Sequence, residues 1–148
     1  MPGIGIVLGS RRPPMVSDDS NLHPEPSGKM PAEINGLRMT RQRWEIYRLL
    51  MTQKDHPTAN EVFRRIQKRL PNISLATVYN CLEALVKHGI VRQVNFDREP
   101  SRFCPNLAEH GHFHDESSGS IHDVTFKPGI DLSEVLDLPE GTVITDVE

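Results

Sequence analysis

Three polar residues, Thr40, Thr58 and Ser74, each lead into an apolar stripe of helical spacing, and this pattern constrains the chain more than any other feature. A hydroxyl at such a position accepts a hydrogen bond from a backbone N–H that a helix start leaves unpartnered. Thr40 opens a helix expected to run to about Gln53, with Trp44, Tyr47, Leu50 and Met51 on one side. Thr58 stands three residues before Glu61, the spacing of a capping box, and Val62, Ile66 and Leu70 then recur every fourth residue until Pro71 ends the run. Ser74 caps a third helix, Leu75 to about His88, with Val78, Leu82, Leu85 and Val86 apolar and Gly89 suited to the residue past its end. Ile90–Phe96 then alternates and is rich in β-formers, Asp97-Arg98-Glu99-Pro100 reads as a turn, and Ser101–Cys104 as a short strand. Three helices followed by a two-stranded hairpin is the winged helix-turn-helix plan, and the short Pro71-Asn72-Ile73 link fits its turn.

A length of 148 residues accommodates one ordinary domain or two small ones. The winged helix is expected over 36–105, and the remainder, 106–148, as a small α+β unit: a strand at 121–126, one or two helical turns at 131–138 and a final strand at 142–147. With few aromatics that second unit is undersized for a core of its own, so the fold class is α+β, a winged helix followed by a shortened partner domain. Residues 1–35 hold six prolines and no period, which predicts a disordered leader; Met15 and Met30 within it leave the start codon open. Apolar Ile4–Leu8 is too short to span a bilayer, and Arg11-Arg12 follow it where a secretory signal would have them first. No membrane partner is expected, and a reducing cytoplasm is the default setting.

The net charge of −3 hides a split. Residues 36–105 carry thirteen Lys/Arg against six Asp/Glu, whereas 106–148 carry one Lys against ten Asp/Glu. Such asymmetry suggests a half that binds polyanions joined to a half that binds cations; two faces that merely attract each other are the alternative. If the third helix enters a major groove, Ser74, Ala76, Thr77, Tyr79 and Asn80 offer the contacts near its N-terminus. Asn80 suits an adenine edge, Ala76 or Thr77 a thymine methyl, and Tyr79 a phosphate. Arg41, Arg43, Arg64, Arg65, Lys68, Arg69 and Lys87 can flank the groove, and Arg92, Arg98 and Arg102 can project from the wing. Singly, each arginine also fits a solvated helix face. No aromatic stacking platform for single strands is visible, so duplex DNA is preferred over RNA.

His110-Gly-His112-Phe-His114-Asp115-Glu116 and His122-Asp123 concentrate four imidazoles and three carboxylates in fourteen residues. Imidazole and carboxylate together suit zinc, iron, nickel or manganese. Histidines at i, i+2 and i+4 share one face of an extended strand; a solvated polar loop is the alternative. Cys81 and Cys104 are the two cysteines, no CxxC is present, and a small structural zinc knot has no support.

Arg38-Met-Thr-Arg-Gln-Arg43, His56-Pro-Thr-Ala59, Pro71-Asn-Ile-Ser-Leu-Ala-Thr-Val-Tyr-Asn80, Leu85-Val-Lys-His-Gly-Ile-Val91, Ser101-Arg-Phe103, the HxH segment and Gly119-Ser-Ile-His-Asp123 resemble the ferric uptake regulator family over roughly 36–147. The wording is nearest its peroxide-sensing and haem-responsive branches. The resemblance implies a dimeric, metal-dependent transcriptional regulator, in most cases a repressor, with an N-terminal winged helix and a C-terminal dimerisation domain. It also implies a regulatory site of His56, His110, His112 and Asp123, one residue from the basic half and three from the acidic half. Three departures stand out. Cys104 occupies the position after Ser-Arg-Phe where the family has an acidic ligand; as a thiolate it favours zinc, and with Pro105 it forms a Cys-Pro dipeptide of the haem-binding kind, an inert buried thiol being the alternative. Asp115-Glu-Ser-Ser118 stands where the family's zinc-binding CxxC belongs. The sequence stops at Glu148, ahead of the strand and second cysteine pair that usually complete the dimerisation sheet.

The function expected is a homodimeric metal-responsive regulator that binds a duplex operator through Fe2+, Mn2+ or Zn2+ and takes no small-molecule substrate. Alternatives are a haem-responsive iron regulator and a metal-independent winged-helix protein. A metallohydrolase is disfavoured, because no HExxH, nucleophile elbow or Gly-rich loop accompanies the histidines. His114 and His122 are expected to be exposed, a second metal held with Asp115 or Glu116 being the alternative, and His88 to serve its helix's C-terminal end.

Overall fold

The computed structural model describes residues 4–8, 24–107, 110–125, 127, 129, 134 and 136–142. The chain divides into two compact units, Asp18–Leu107 and, from both ends of the sequence, Met1–Ser17 with Ala108–Glu148.

In the first unit, strands β2 (Glu33–Ile34) and β3 (Leu37–Arg38) form a tight hairpin ahead of helices α1 (Arg41–Gln53), α2 (Ala59–Ile66) and α3 (Leu75–Lys87). Strands β4 (Arg92–Val94) and β5 (Arg102–Cys104) then pair antiparallel as the wing. All three caps form as their sequence requires: Thr40, Thr58 and Ser74 accept from the N–H of Arg43, Glu61 and Thr77. The Glu61 carboxylate returns a 2.8 Å bond to the Thr58 N–H and completes the capping box. Trp44, Ile46, Tyr47, Leu50, Val62, Ile66, Val78, Leu82 and Leu85 close one core, against which Ile90, Val91 and Phe103 of the wing also pack. Two elements are shorter than their patterns. Helix α2 ends at Ile66 because the chain tightens, Arg69 and Leu70 both donating to Ile66 O ahead of Pro71. Ile90 and Val91, expected in the strand, serve the core instead.

The leader expected over 1–35 gives way in two places. The Tyr47 hydroxyl donates to Pro24 O at 2.7 Å and Arg48 Nε donates to Pro26 O, while Ile34, Leu37 and Met39 are buried in the core. Burial, reinforced by the Glu25 carboxylate, pushes the Tyr47 phenol up to about 12, so it remains a donor. Nothing in the proline-rich composition signals that these backbone carbonyls have partners on α1. Strand β1 (Ile4–Leu8) is the second place; it belongs to the other unit.

That unit is built on a three-stranded antiparallel sheet of order β1-β6-β7, with β6 (Gly111–Asp115) central and β7 (Ser120–Val124) on its other side. The strand expected at 121–126 is thus found two residues shorter at its far end. The helical turns expected at 131–138 and the strand at 142–147 fall for the most part outside the described residues, as do His23 and the rest of the leader.

Candidate functional site

The period of two puts His110, His112 and His114 on one side of the chain leading into and along β6, as the HxHxH spacing predicts. Register then brings Asp123 of β7 directly opposite His112. His110 Nε2 and His112 Nε2 lie 3.1 Å apart, with their rings edge to face. Each of those two nitrogens is 3.5 Å from Asp123 Oδ1. Both imidazoles are buried, whereas the Asp123 side chain is about one-third exposed, at 34%. Ligand atoms held about 2.1 Å from a common ion lie about 3.0 Å apart at right angles and about 3.4 Å apart at tetrahedral angles. The His110–His112–Asp123 triangle has that size, so a divalent transition metal fits these donors.

His114, expected in solvent, is buried, because its place two residues after His112 keeps it on the same face. His122 is exposed as expected, its Nε2 3.2 Å from Ser120 Oγ.

In the other unit, the segment entering α2 is stitched to β5. Phe103 N–H donates to Pro57 O at 3.0 Å, Arg102 Nη1 donates to His56 O, and Thr58 bridges Arg102. Those bonds bring two residues 48 positions apart together: the ligand atoms of His56 and Cys104 lie within 4.8 Å of each other. Both side chains are buried, and so is Pro105. A Cys-Pro dipeptide buried in this way offers no exposed thiolate to haem. Arg102 therefore ties wing to helix, and Arg92 is likewise engaged, donating to Leu107 O at 2.8 Å. Their backbone partners lie far along the chain, which no sequence spacing reveals.

Where the family carries CxxC, the β6–β7 turn is held by Asp115. Its Oδ1 accepts from Ser117 N–H at 2.9 Å and Ser117 Oγ at 2.6 Å, and its Oδ2 from Ser118 Oγ at 2.8 Å. The Ser117 and Ser118 hydroxyls, then the backbone N–H groups, hold the carboxyl down at about 2. Sequence reasoning passed over Ser117 and Ser118, although Asp-x-Ser-Ser-Gly carries the signature of a side-chain-bonded turn, and Gly119 supplies the positive φ of 70° that the turn needs.

On α3, Ser74, Ala76, Tyr79 and Asn80 are exposed. Thr77 is half-buried, and its hydroxyl is 2.8 Å from Ser74 Oγ, so those two serve the helix cap first. Arg41, Arg64, Lys68, Lys87 and Arg98 are exposed. Arg43, Arg65 and Arg69 are engaged, with Arg38 O, Asp55 and Glu45 respectively. Arg98 sits at the wing tip with a φ of 59°. Cys81 is buried within α3, and burial pushes its thiol up despite the nearby Arg43, which makes it a poor nucleophile.

The sequence pattern of the ferric uptake regulator family matches residues 34–145. A peroxide-responsive repressor of Staphylococcus epidermidis is 39% identical over 101 residues, 68% of this chain and 67% of that protein. The chain spans 62 to 67% of the length of the curated relatives it matches first. Among solved structures, a zinc-bound manganese uptake regulator superposes with a TM-score of 0.57 at 33% identity, over 68% of this chain and 76% of the other. The Campylobacter jejuni peroxide stress regulator gives 0.52 at 33% identity, over 57% and 62%. With more than half its length inside the family pattern, and with this order of winged helix and histidine-bearing sheet, the chain belongs to the ferric uptake regulator family.

Proposed function

We propose that the chain is a metal-responsive, DNA-binding transcriptional repressor of metal-homeostasis or peroxide-stress genes. The observation that carries the metal reading is the triangle of His110, His112 and Asp123, three donors with the spacing of a first coordination shell. The proposed set adds His56, which the family resemblance implies, and its neighbour Cys104 from the winged-helix unit. When bound, a divalent ion supplies a positive charge and a fixed ligand geometry. The chain does the rest. Ligands drawn from both units restrict their relative freedom, which is a differential contact between two states and is what a switch requires. Asn80 and Ala76 on the exposed face of α3 read base edges, while Arg41, Arg64, Lys68 and Arg98 hold phosphates.

One relative is named as a manganese uptake regulator with zinc bound and the family as a ferric uptake regulator, so iron, manganese and zinc are the ions to test. A homodimer places two α3 helices on the half-sites of a duplex operator. Among the described residues no helix is long and apolar enough to cross a membrane; work on DNA in the cytoplasm is the setting proposed. The family role is regulation, not catalytic turnover.

The test is metal analysis of protein purified without chelator, followed by mobility shift on operator DNA with and without chelator. The switch predicts that chelation, or His112→Ala, weakens specific binding; equal binding in both conditions would leave a metal-independent winged helix.

A further inference from the structure

The ligand triangle occupies the open end of its hairpin. The β6–β7 turn lies at 116–119, and the Asp115–Ser117–Ser118 network secures that end. His112 and Asp123 pair near the opposite end, and His110 lies beyond the last pair, Gly111–Val124. Hairpins fray from the end remote from the turn, and a two-stranded hairpin alone is marginal in water. Strand β1 makes this sheet three-stranded. It runs antiparallel along the free side of β6, with Gly5 opposite His114, Val7 opposite His112 and Leu8 opposite Gly111. Its last two pairs therefore lie at the ligand end.

The geometry points to β1 as the positioning strand of the metal centre: Ile4–Leu8 hold the ligand-bearing end of β6 in register, and strand docking and metal binding strengthen each other. This rests on the metal site proposed above. Without β1, β6 becomes an edge among the described strands, and the ordering of Gly111 and His112 has to be supplied by the ion at the expense of affinity. Linkage makes the effect reciprocal, so an ion on the triangle lowers the equilibrium population of opened β1 by the same factor by which β1 tightens the ion.

Two variants of the full protein test this. Ile6→Pro combined with Val7→Pro removes two successive N–H groups, and because alternate residues bond across an antiparallel pair, one of them faces β6. A chain beginning at Met15 removes the strand altogether. Amide exchange is followed at 111–115 in metal-free protein, with the amides of α3 as an internal reference, and Zn(II) affinity is measured by chelator competition. Both variants are expected to speed exchange at 111–115, leave α3 unchanged and weaken Zn(II) by about tenfold, inside the usual span of coupling between sites. Zn(II) added to the unaltered chain is expected to slow exchange at 5–8. Unchanged exchange at 111–115, or unchanged Zn(II) affinity in both variants, overturns the positioning role and leaves the metal site standing. Faster exchange at 111–115 in the variants, together with an unaltered chain that binds neither Zn(II) nor Mn(II), overturns the metal assignment and the coupling with it.

Discussion

Metal preference turns on Cys104. Four of the proposed donors are imidazoles and a carboxylate, which suit manganese and iron(II) as well as zinc, whereas a thiolate is soft and selects zinc over manganese. The Cys104 ligand atom lies within 4.8 Å of that of His56, and as a member of the proposed set it would make the centre mixed N/O/S. Cobalt(II) substitution should give the near-ultraviolet charge-transfer absorption of a thiolate–cobalt bond. Cys104→Asp should abolish that band and shift competition toward Mn(II) by about tenfold or more; a cobalt spectrum without the band in the unaltered protein would remove Cys104 from the ligand set. Asp115 makes a separate prediction. Its folded value, about 2, lies below the ordinary 3.8, so its contribution to the turn is present above pH 3.8 and is lost as the pH falls through about 2. The Ser117 and Ser118 amide resonances should titrate with a midpoint near 2; a midpoint near 3.8 would mean the carboxyl makes no bond to them. At this scale the sequence was legible wherever residue type and period two suffice, as for His110 and His112. It misjudged His114, expected in solvent and found buried, and did not reveal the backbone partners of Arg92 and Arg102, which depend on which distant segment arrives beside them.

Helix starts and the wing tie together at α2. Thr58 caps it, Glu61 reciprocates, and the same few residues bond β5 through Pro57 O, His56 O and the Thr58–Arg102 bridge. Thr58→Ala should cost about 1 kcal/mol of stability, the usual worth of a cap. It should also weaken Zn(II) binding, because His56 is held by the segment that the cap terminates. Loss of stability with unchanged metal affinity would show that the cap has no part in placing His56. On α3 the prediction concerns recognition. Asn80→Ala should cost about 1–3 kcal/mol of specific binding with the salt slope unchanged, whereas Arg64→Ala should weaken all sequences alike and lower the slope by about one. The reverse pattern would place Asn80 on the backbone. Caps and apolar stripes made all three helix starts, and the ends of α1 and α3, readable to within a residue or two, since those signals are local; α2 stops four residues short of Leu70, where its stripe ends. Strand β1 was not readable: five apolar residues beside a proline-rich stretch carry no mark of a partner strand more than a hundred positions away.

Across the molecule, charge and metal geometry can each explain why an ion would promote DNA binding, and they predict different salt behaviour. Residues 106–148 hold ten Asp/Glu against one Lys, so they oppose the approach of a phosphate backbone. A divalent ion that merely offsets some of this charge would act through a screened field, which fades over about 8–10 Å at physiological salt. An ion with ligands from both units acts instead by restricting which arrangements of the winged helices are populated, and that contribution carries no ionic-strength dependence of its own. Operator affinity should fall steeply between about 50 and about 200 mM salt whether or not metal is present, because phosphate contacts release counterions. The ratio of metal-bound to chelated affinity should nevertheless stay level across that range, at about tenfold or more. His56→Ala, which removes the imidazole of the winged-helix unit's two proposed donors while leaving the His110–His112–Asp123 triangle intact, should lower that ratio toward one with metal still bound. A ratio that shrinks with salt and survives His56→Ala would make the ion a charge neutraliser on the acidic half, and the winged helix would then read DNA without being held by it.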